Sequence, residues 1–115
     1  MGDLSPHFSS WEFACNHCGY RVGPTPALLD ALERLRGEVG RPLAIVSGDR
    51  CVAYNRRVGG IPRSQHLHGR AADIPGSYAT VAQAKRAGFH GVGLKSGRVT
   101  HVDVTPGRGF FTFDE

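Results

Sequence analysis

The chain has 115 residues, which is enough for one domain with a modest hydrophobic core but leaves little room for a second. Its composition, 40% hydrophobic and 21% charged, is typical of a globular protein, and no apolar run approaches the roughly 18 residues of a membrane-spanning helix. The net charge of +4 fits either a solvated surface or attraction to an anionic polymer. The lack of a long apolar run predicts no membrane span. Because no basic run carries interleaved aromatic residues, we expect no nucleic-acid partner.

The first half of the chain predicts one long helix and one strand. Thr25 is a suitable N-cap, and the proline that follows it suits the first turn of a helix. Leucines then recur at helical spacing until Gly37 or Gly40 ends the pattern. The apolar run 43–46 predicts a short strand buried on both faces.

The second half predicts further short elements. Residues 71–74 have the character of a strand, and Ser77 is expected to cap a helix that Gly88 closes. Two apolar stretches around Ser96 and Gly97 predict a hairpin, and the tail 106–115 is expected to be irregular. The mixture predicts an α+β fold, with residues 1–115 forming a single domain.

Two histidines and one aspartate form a potential metal-ligand set. His66 and Asp73 lie seven residues apart, with a glycine and small residues between them, and His101 follows on a predicted strand. A catalytic zinc ion takes three protein ligands and keeps its fourth position open. We therefore predict a zinc site formed by these three side chains, and a hydrolase that uses it.

Asp103 is the candidate catalytic residue. Strand alternation places it on the same face as His101, so its carboxylate can reach the same site. There it could act as the general base toward the attacking water, or it could orient a histidine ligand.

The three cysteines leave several interpretations open. Cys15 and Cys18 have the C-x-x-C spacing of half a zinc knuckle, and Cys51 lies far downstream. An odd number argues against a complete disulfide framework. The alternatives are free thiols, one disulfide to Cys51, or a structural metal site.

The segments that contain His66, Asp73, His101 and Asp103 resemble the M15 family of zinc peptidases, which includes D-alanyl-D-alanine carboxypeptidases, dipeptidases and phage endolysin peptidases. The predicted metal site is also similar to that of the Hedgehog signalling domain. The resemblance is carried by Ser64-x-His66-x-x-Gly69-x-Ala71-x-Asp73 and His101-x-Asp103, and upstream by Phe8-Ser9-Ser10-Trp11-Glu12-Phe13, Ser47-Gly48-Asp49-Arg50-Cys51 and Tyr54-Asn55-Arg56-Arg57-Val58-Gly59-Gly60. It covers nearly the whole chain and is closest to a compact subgroup related to murein endopeptidases.

The resemblance implies a small antiparallel sheet flanked by helices, with zinc bound by the histidines and aspartate named above. It also implies that Arg50 pairs with a substrate carboxylate, and that Ser64 or Gln65 hydrogen-bonds the peptide. Several relatives carry an acidic catalytic base three residues before the last zinc histidine. Here that position is Arg98, so Asp103 is the expected replacement.

These observations predict a zinc-dependent peptidase that hydrolyses amide bonds in bacterial peptidoglycan stem peptides or cross-links. The alternative is a non-catalytic, zinc-stabilised domain that binds cell wall or protein. We expect a monomer whose substrate is a peptidoglycan peptide. The N-terminus lacks the pattern of a secretory signal, so we expect action on the cell wall as a phage lysis or tail component, or after export by another route.

Overall fold

The computed structural model describes residues 2, 4–14, 24–46, 69–105 and 109–114. These form an α+β fold, which confirms the predicted class. The elements in chain order are a 3₁₀ turn (Ser10–Phe13), α1 (Pro26–Val39), β1 (Ala71–Asp73), α2 (Val81–Ala87), β2 (Gly91–Lys95), β3 (Arg98–Asp103) and β4 (Phe111–Asp114). No helix in these ranges is both long enough and apolar enough to span a membrane.

Helix α1 begins at the predicted cap and ends at Gly40, the second of its two predicted ends, whereas Gly37 lies within the helix. The Thr25 hydroxyl accepts a hydrogen bond from the Leu28 N–H at 3.2 Å, which satisfies one of the free donors of the first turn. Gly40 ends the helix with φ 72°, a left-handed conformation that glycine adopts without steric cost. One side of the helix is buried in the hydrophobic core through Leu28, Ala31, Leu32 and Leu35.

The four strands form one sheet in the order β1-β3-β2-β4. β3 pairs antiparallel with both β1 and β2, whereas β4 pairs parallel with β2. The sheet is therefore mixed, with three antiparallel strands extended at one edge by a parallel strand. The 106–115 tail, predicted to be irregular, thus contributes a strand, and that prediction is wrong for Phe111–Asp114.

The strand register gives the sheet two chemically different faces, because paired residues project to the same side. On the back face Ala72, Val102 and Val92 are paired across three strands, and all three are fully buried in the core. The front face carries two lateral rows of paired residues. The first row is Asp73, His101, Gly93 and Phe113, and the second is Ala71, Asp103, Gly91 and Phe111.

The second predicted helix starts later than expected. Tyr78 has φ 59°, outside the helical region, so a helix cannot run from Ser77 through this residue. Instead Thr80 caps α2, because its hydroxyl accepts from the Gln83 N–H while the Gln83 side chain accepts from the Thr80 N–H. The Ser77 hydroxyl accepts from the Ala79 N–H within the preceding turn. Gly88 closes the helix as predicted.

The apolar run 43–46 does not form a strand, contrary to prediction. The Val46 N–H donates to the Asp73 carbonyl, so the segment touches β1, which is an edge strand of the described sheet. Beside this edge strand, only alternate side chains of the segment contact the core. Leu43 is buried and Ile45 packs against the core, but Val46 is 55% exposed.

Candidate metal centre

Asp73 and His101 meet on the front face at the end of β1. The two residues are direct partners in the β1–β3 register, which brings Asp73 Oδ1 to 3.2 Å from His101 Nδ1. Their side chains are 22% and 12% exposed, so this contact is largely shielded from water. Residues 28 positions apart in the chain are thus placed together by strand pairing alone.

Asp103 holds the other side of the same imidazole. Its Oδ2 accepts a hydrogen bond from His101 Nε2 at 2.9 Å. Its Oδ1 accepts from the Thr105 N–H at 3.1 Å and from the Thr105 hydroxyl at 2.6 Å. Both carboxylate oxygens are therefore engaged, and the group is almost fully buried. This fixes the plane of the imidazole and directs Nδ1 toward Asp73.

Gly91 makes room for the Asp103 carboxylate. It lies opposite Asp103 in the β2–β3 register, and a Cβ atom on Gly91 would fall 2.6 Å from Oδ1 and within contact of Oδ2. Real Cβ atoms essentially never approach so closely, so any larger residue would displace the carboxylate. The glycine is a steric requirement of the His101–Asp103 contact.

The two carboxylates strongly favour a positive charge on His101. Burial by itself lowers the pKa of the imidazole, but its hydrogen bonds to Asp103 and Asp73 outweigh burial and raise the pKa from 6.5 to about 9. For Asp103, burial favours the neutral form, yet the contacts with His101 and Thr105 prevail and lower its pKa. The site is therefore built to hold a cation between or beside carboxylates.

This donor set fits a zinc ion at the Nδ1 side of the ring. Imidazole nitrogen and carboxylate oxygen are both common zinc ligands, and two such ligands of a tetrahedral ion lie about 3.3 Å apart. The separation of Asp73 Oδ1 and His101 Nδ1, 3.2 Å, is close to that value. The hydrogen bond from Nε2 to a buried carboxylate is the arrangement that commonly orients a metal-binding histidine.

Of the two roles predicted for Asp103, this geometry favours the orienting one. A general base must present a free lone pair to the water that it deprotonates. Asp103 instead directs its oxygens to His101 and Thr105, on the side of the ring opposite Asp73.

Three of the predicted site residues, Asp73, His101 and Asp103, therefore converge. The remaining predicted residues lie outside the described residues: His66, Arg50, Ser64, Gln65, Cys15, Cys18 and Cys51. Within the described ranges no group of three or more histidine, cysteine, aspartate or glutamate residues is arranged to hold a metal ion. The third predicted ligand, His66, thus stays a prediction.

Sequence reasoning missed three contributors to this site. Thr105 fixes Asp103, Gly91 accommodates it, and Phe113 packs edge-on against His101 with ring centroids 5.2 Å apart. The Phe-Thr-Phe alternation of residues 111–113 is the period-two pattern of a strand and could have revealed β4.

Comparison with protein families relates most of the chain to a known family. Residues 6–103 match the profile of the family described as Peptidase M15. The matched region includes β1, β2 and β3 and stops at Asp103, so β4 lies beyond it. No curated protein matches the chain.

Replacing Gly91 by alanine tests the steric account of the site. The added methyl group should push Asp103 away from His101, so the pKa of His101 measured by NMR in chelator-treated protein should fall from about 9 toward 6.5. Gly109→Ala is the matched control, because a Cβ there meets no atom within 4 Å. An unchanged His101 pKa in Gly91→Ala would contradict the account.

The raised pKa of His101 also predicts how stability depends on pH in the absence of metal. A group whose pKa is higher in the folded state stabilises the protein fully below its unfolded value, 6.5, and this contribution is lost as pH rises through about 9. In urea unfolding with chelator, wild type should have a higher free energy of unfolding than His101→Gln at low pH. This advantage in stability should be lost between roughly pH 6 and pH 10. An advantage that stays constant or grows over this interval would refute the charged pair.

Proposed function

The chain belongs to the peptidase M15 family, and from this premise we propose that it is a zinc-dependent peptidase acting on the peptide part of bacterial peptidoglycan. The observation that carries the proposal is the imidazole of His101, held between the carboxylates of Asp73 and Asp103. Family membership supports a peptidase. The chemistry of the converging side chains supports zinc.

Each described side chain has a distinct part in this proposal. Asp73 and His101 would bind the ion together with the predicted third ligand, His66. Bound there, zinc would supply a Lewis acid that polarises the scissile carbonyl and makes water a nucleophile near neutral pH. Asp103 holds the His101 ring so that Nδ1 faces Asp73, and Thr105 in turn holds Asp103.

In this proposal the substrate is bound by residues that precede the predicted ligand His66 in the chain. Arg50 would pair with a carboxylate of the peptide, because a guanidinium can bind both carboxylate oxygens. Ser64 or Gln65 would hydrogen-bond the peptide backbone. We assign no step of this reaction to Cys15, Cys18 or Cys51, for which free thiols, a disulfide and a structural metal site stay open.

The charge of the chain supports an anionic substrate. Peptidoglycan peptides carry carboxylates, and a net charge of +4 raises the encounter rate with such a polymer at low ionic strength. We therefore propose action at the cell wall, by a monomer that serves as a phage lysis or tail component or is exported by another route.

A second candidate function follows from the engagement of Asp103. Because both of its oxygens accept hydrogen bonds, and because Arg98 stands where several relatives carry an acid, a zinc-stabilised domain that binds cell wall without cleaving it is the alternative. Cleavage assays separate the two directly.

Purified peptidoglycan treated with the zinc-loaded protein should release new amino groups, and mass spectrometry of the products should identify the cut bond. A released terminal amino acid indicates a carboxypeptidase, whereas an internal cut indicates an endopeptidase of D,D, L,D or L-alanyl-D-glutamyl type. Chelation should stop the reaction. Metal binding with an intact wall would favour the binding domain.

His101→Ala should abolish zinc binding and cleavage together, because it removes a ligand and the group that Asp103 orients. His7→Ala is the matched control, since His7 is an exposed histidine that pairs with Glu33 at 2.6 Å and lies on no front-face row. Metal analysis and amine release should both stay at wild-type levels in the control. An active, zinc-replete His101→Ala protein would refute the site.

Asp103→Asn separates the two roles of this residue. As an orienting group, its loss should weaken zinc affinity about 10- to 100-fold, and activity at saturating zinc should partly recover. As a general base, its loss should leave zinc affinity unchanged and lower kcat at any zinc concentration, by about 100-fold or more. The engaged carboxylate leads us to expect the first result, measured by competition with a zinc indicator and by kcat.

A further inference from the structure

Two phenylalanines of β4 stand on the front face beside the metal centre. The Phe113 ring meets the His101 imidazole edge-on, at 63° with centroids 5.2 Å apart. Phe111 stacks on Phe113 with centroids 5.9 Å apart and an interplanar angle of 26°. Together they make an apolar surface that begins at the imidazole.

The glycines of β2 allow this contact across an intervening strand. β4 is separated from β3 by β2, so the backbones of Phe113 and His101 lie about 10 Å apart. Gly93 stands between the two residues in the register and has no side chain, so the Phe113 ring can extend over it. In the neighbouring row Gly91 separates Asp103 from Phe111 in the same way.

Phe113 is not part of the hydrophobic core. The core lies on the back face, where the large apolar residues are almost completely buried, whereas Phe113 is 37% exposed on the opposite face. An aromatic ring kept in water next to a polar centre is typical of a ligand site, where apolar walls surround a few polar groups. This wall is formed by β4, which lies beyond the residues that match the family profile.

We propose that Phe113 is a specificity-determining residue, which forms the apolar wall of a subsite for an apolar side chain next to the cut bond. The inference rests on the proposed peptidase function. Because the Phe113 ring contacts His101, a side chain next to a carbonyl that reacts beside His101 would meet this ring. The ring offers an apolar contact and no hydrogen bond, so it favours an apolar side chain over a polar one.

The test compares peptides that differ by one methyl group. The peptide that wild type cuts is synthesised with alanine and, separately, with glycine at the position that flanks the cut bond. Wild type should favour the alanine peptide in kcat/KM by about tenfold, the usual effect of one methyl group in an apolar pocket. Phe113→Ala should reduce this ratio to near one, mainly through loss on the alanine peptide, and Phe113→Leu should restore much of it.

Thr112→Ala is the matched control. Thr112 is an exposed residue of the same edge strand, but it pairs with Val92 and so projects to the back face. Its replacement weakens β4 as Phe113→Ala does without touching the proposed wall. The alanine-to-glycine ratio of Thr112→Ala should equal that of wild type.

Three results would overturn the inference, and each is distinct. An unchanged ratio in an active Phe113→Ala protein rejects the subsite and leaves the peptidase intact. An equal fall in kcat on both peptides with weaker zinc binding shows that Phe113 acts only by holding His101. No cleavage by zinc-loaded wild type removes the proposed function and this inference with it.

Discussion

The central interaction of this molecule is an imidazole held between two carboxylates at the middle of a small sheet. Desolvation opposes charge on His101, and only the paired contacts with Asp73 and Asp103 reverse that preference. Neither carboxylate can be left without a cationic partner in so shielded a position except at considerable cost. The centre therefore favours a positive charge, which a proton on His101 supplies in the metal-free protein.

Strand register provides the precision that this arrangement needs. A slip of one residue in the β1–β3 pairing would move Asp73 to the back face and bring an apolar residue into its place. The buried valines of β2 and β3, which pack against the helical layer, oppose such a slip because it would expose them. The hydrophobic core on one face thus fixes the polar geometry on the other.

The glycines of β2 leave space on the front face for side chains from the two neighbouring strands. Gly91 leaves space for a carboxylate on β3, and Gly93 leaves space for an aromatic ring from β4. Side chains at these positions would separate the charged centre from its apolar neighbour. β2 therefore contributes to the site by lacking side chains on its front face.

Local signals in the sequence predicted much of this fold. The Thr25 cap, the Gly40 stop and the hairpin between β2 and β3 depend on residues close together in the chain, and all three are present. β4 was not predicted because it pairs parallel with β2. Parallel strands are not joined by a tight turn, so the sequence has no local turn signal for this pairing. The convergence of Asp73 and His101 was expected from the chemistry of the proposed ligand set and from the family resemblance. The hydrogen bonds from Thr105 to Asp103 and the space left by Gly91 depend on three-dimensional contacts that the sequence does not reveal.

The most direct test of this account is nitrogen NMR of the His101 ring during titration with zinc. Because Asp103 accepts a hydrogen bond from Nε2, we predict that zinc removes the proton from Nδ1 and shifts its resonance strongly, while Nε2 keeps its proton. Zinc bound through Nε2, or a ring whose two nitrogens do not respond to one equivalent of zinc, would contradict the central claim.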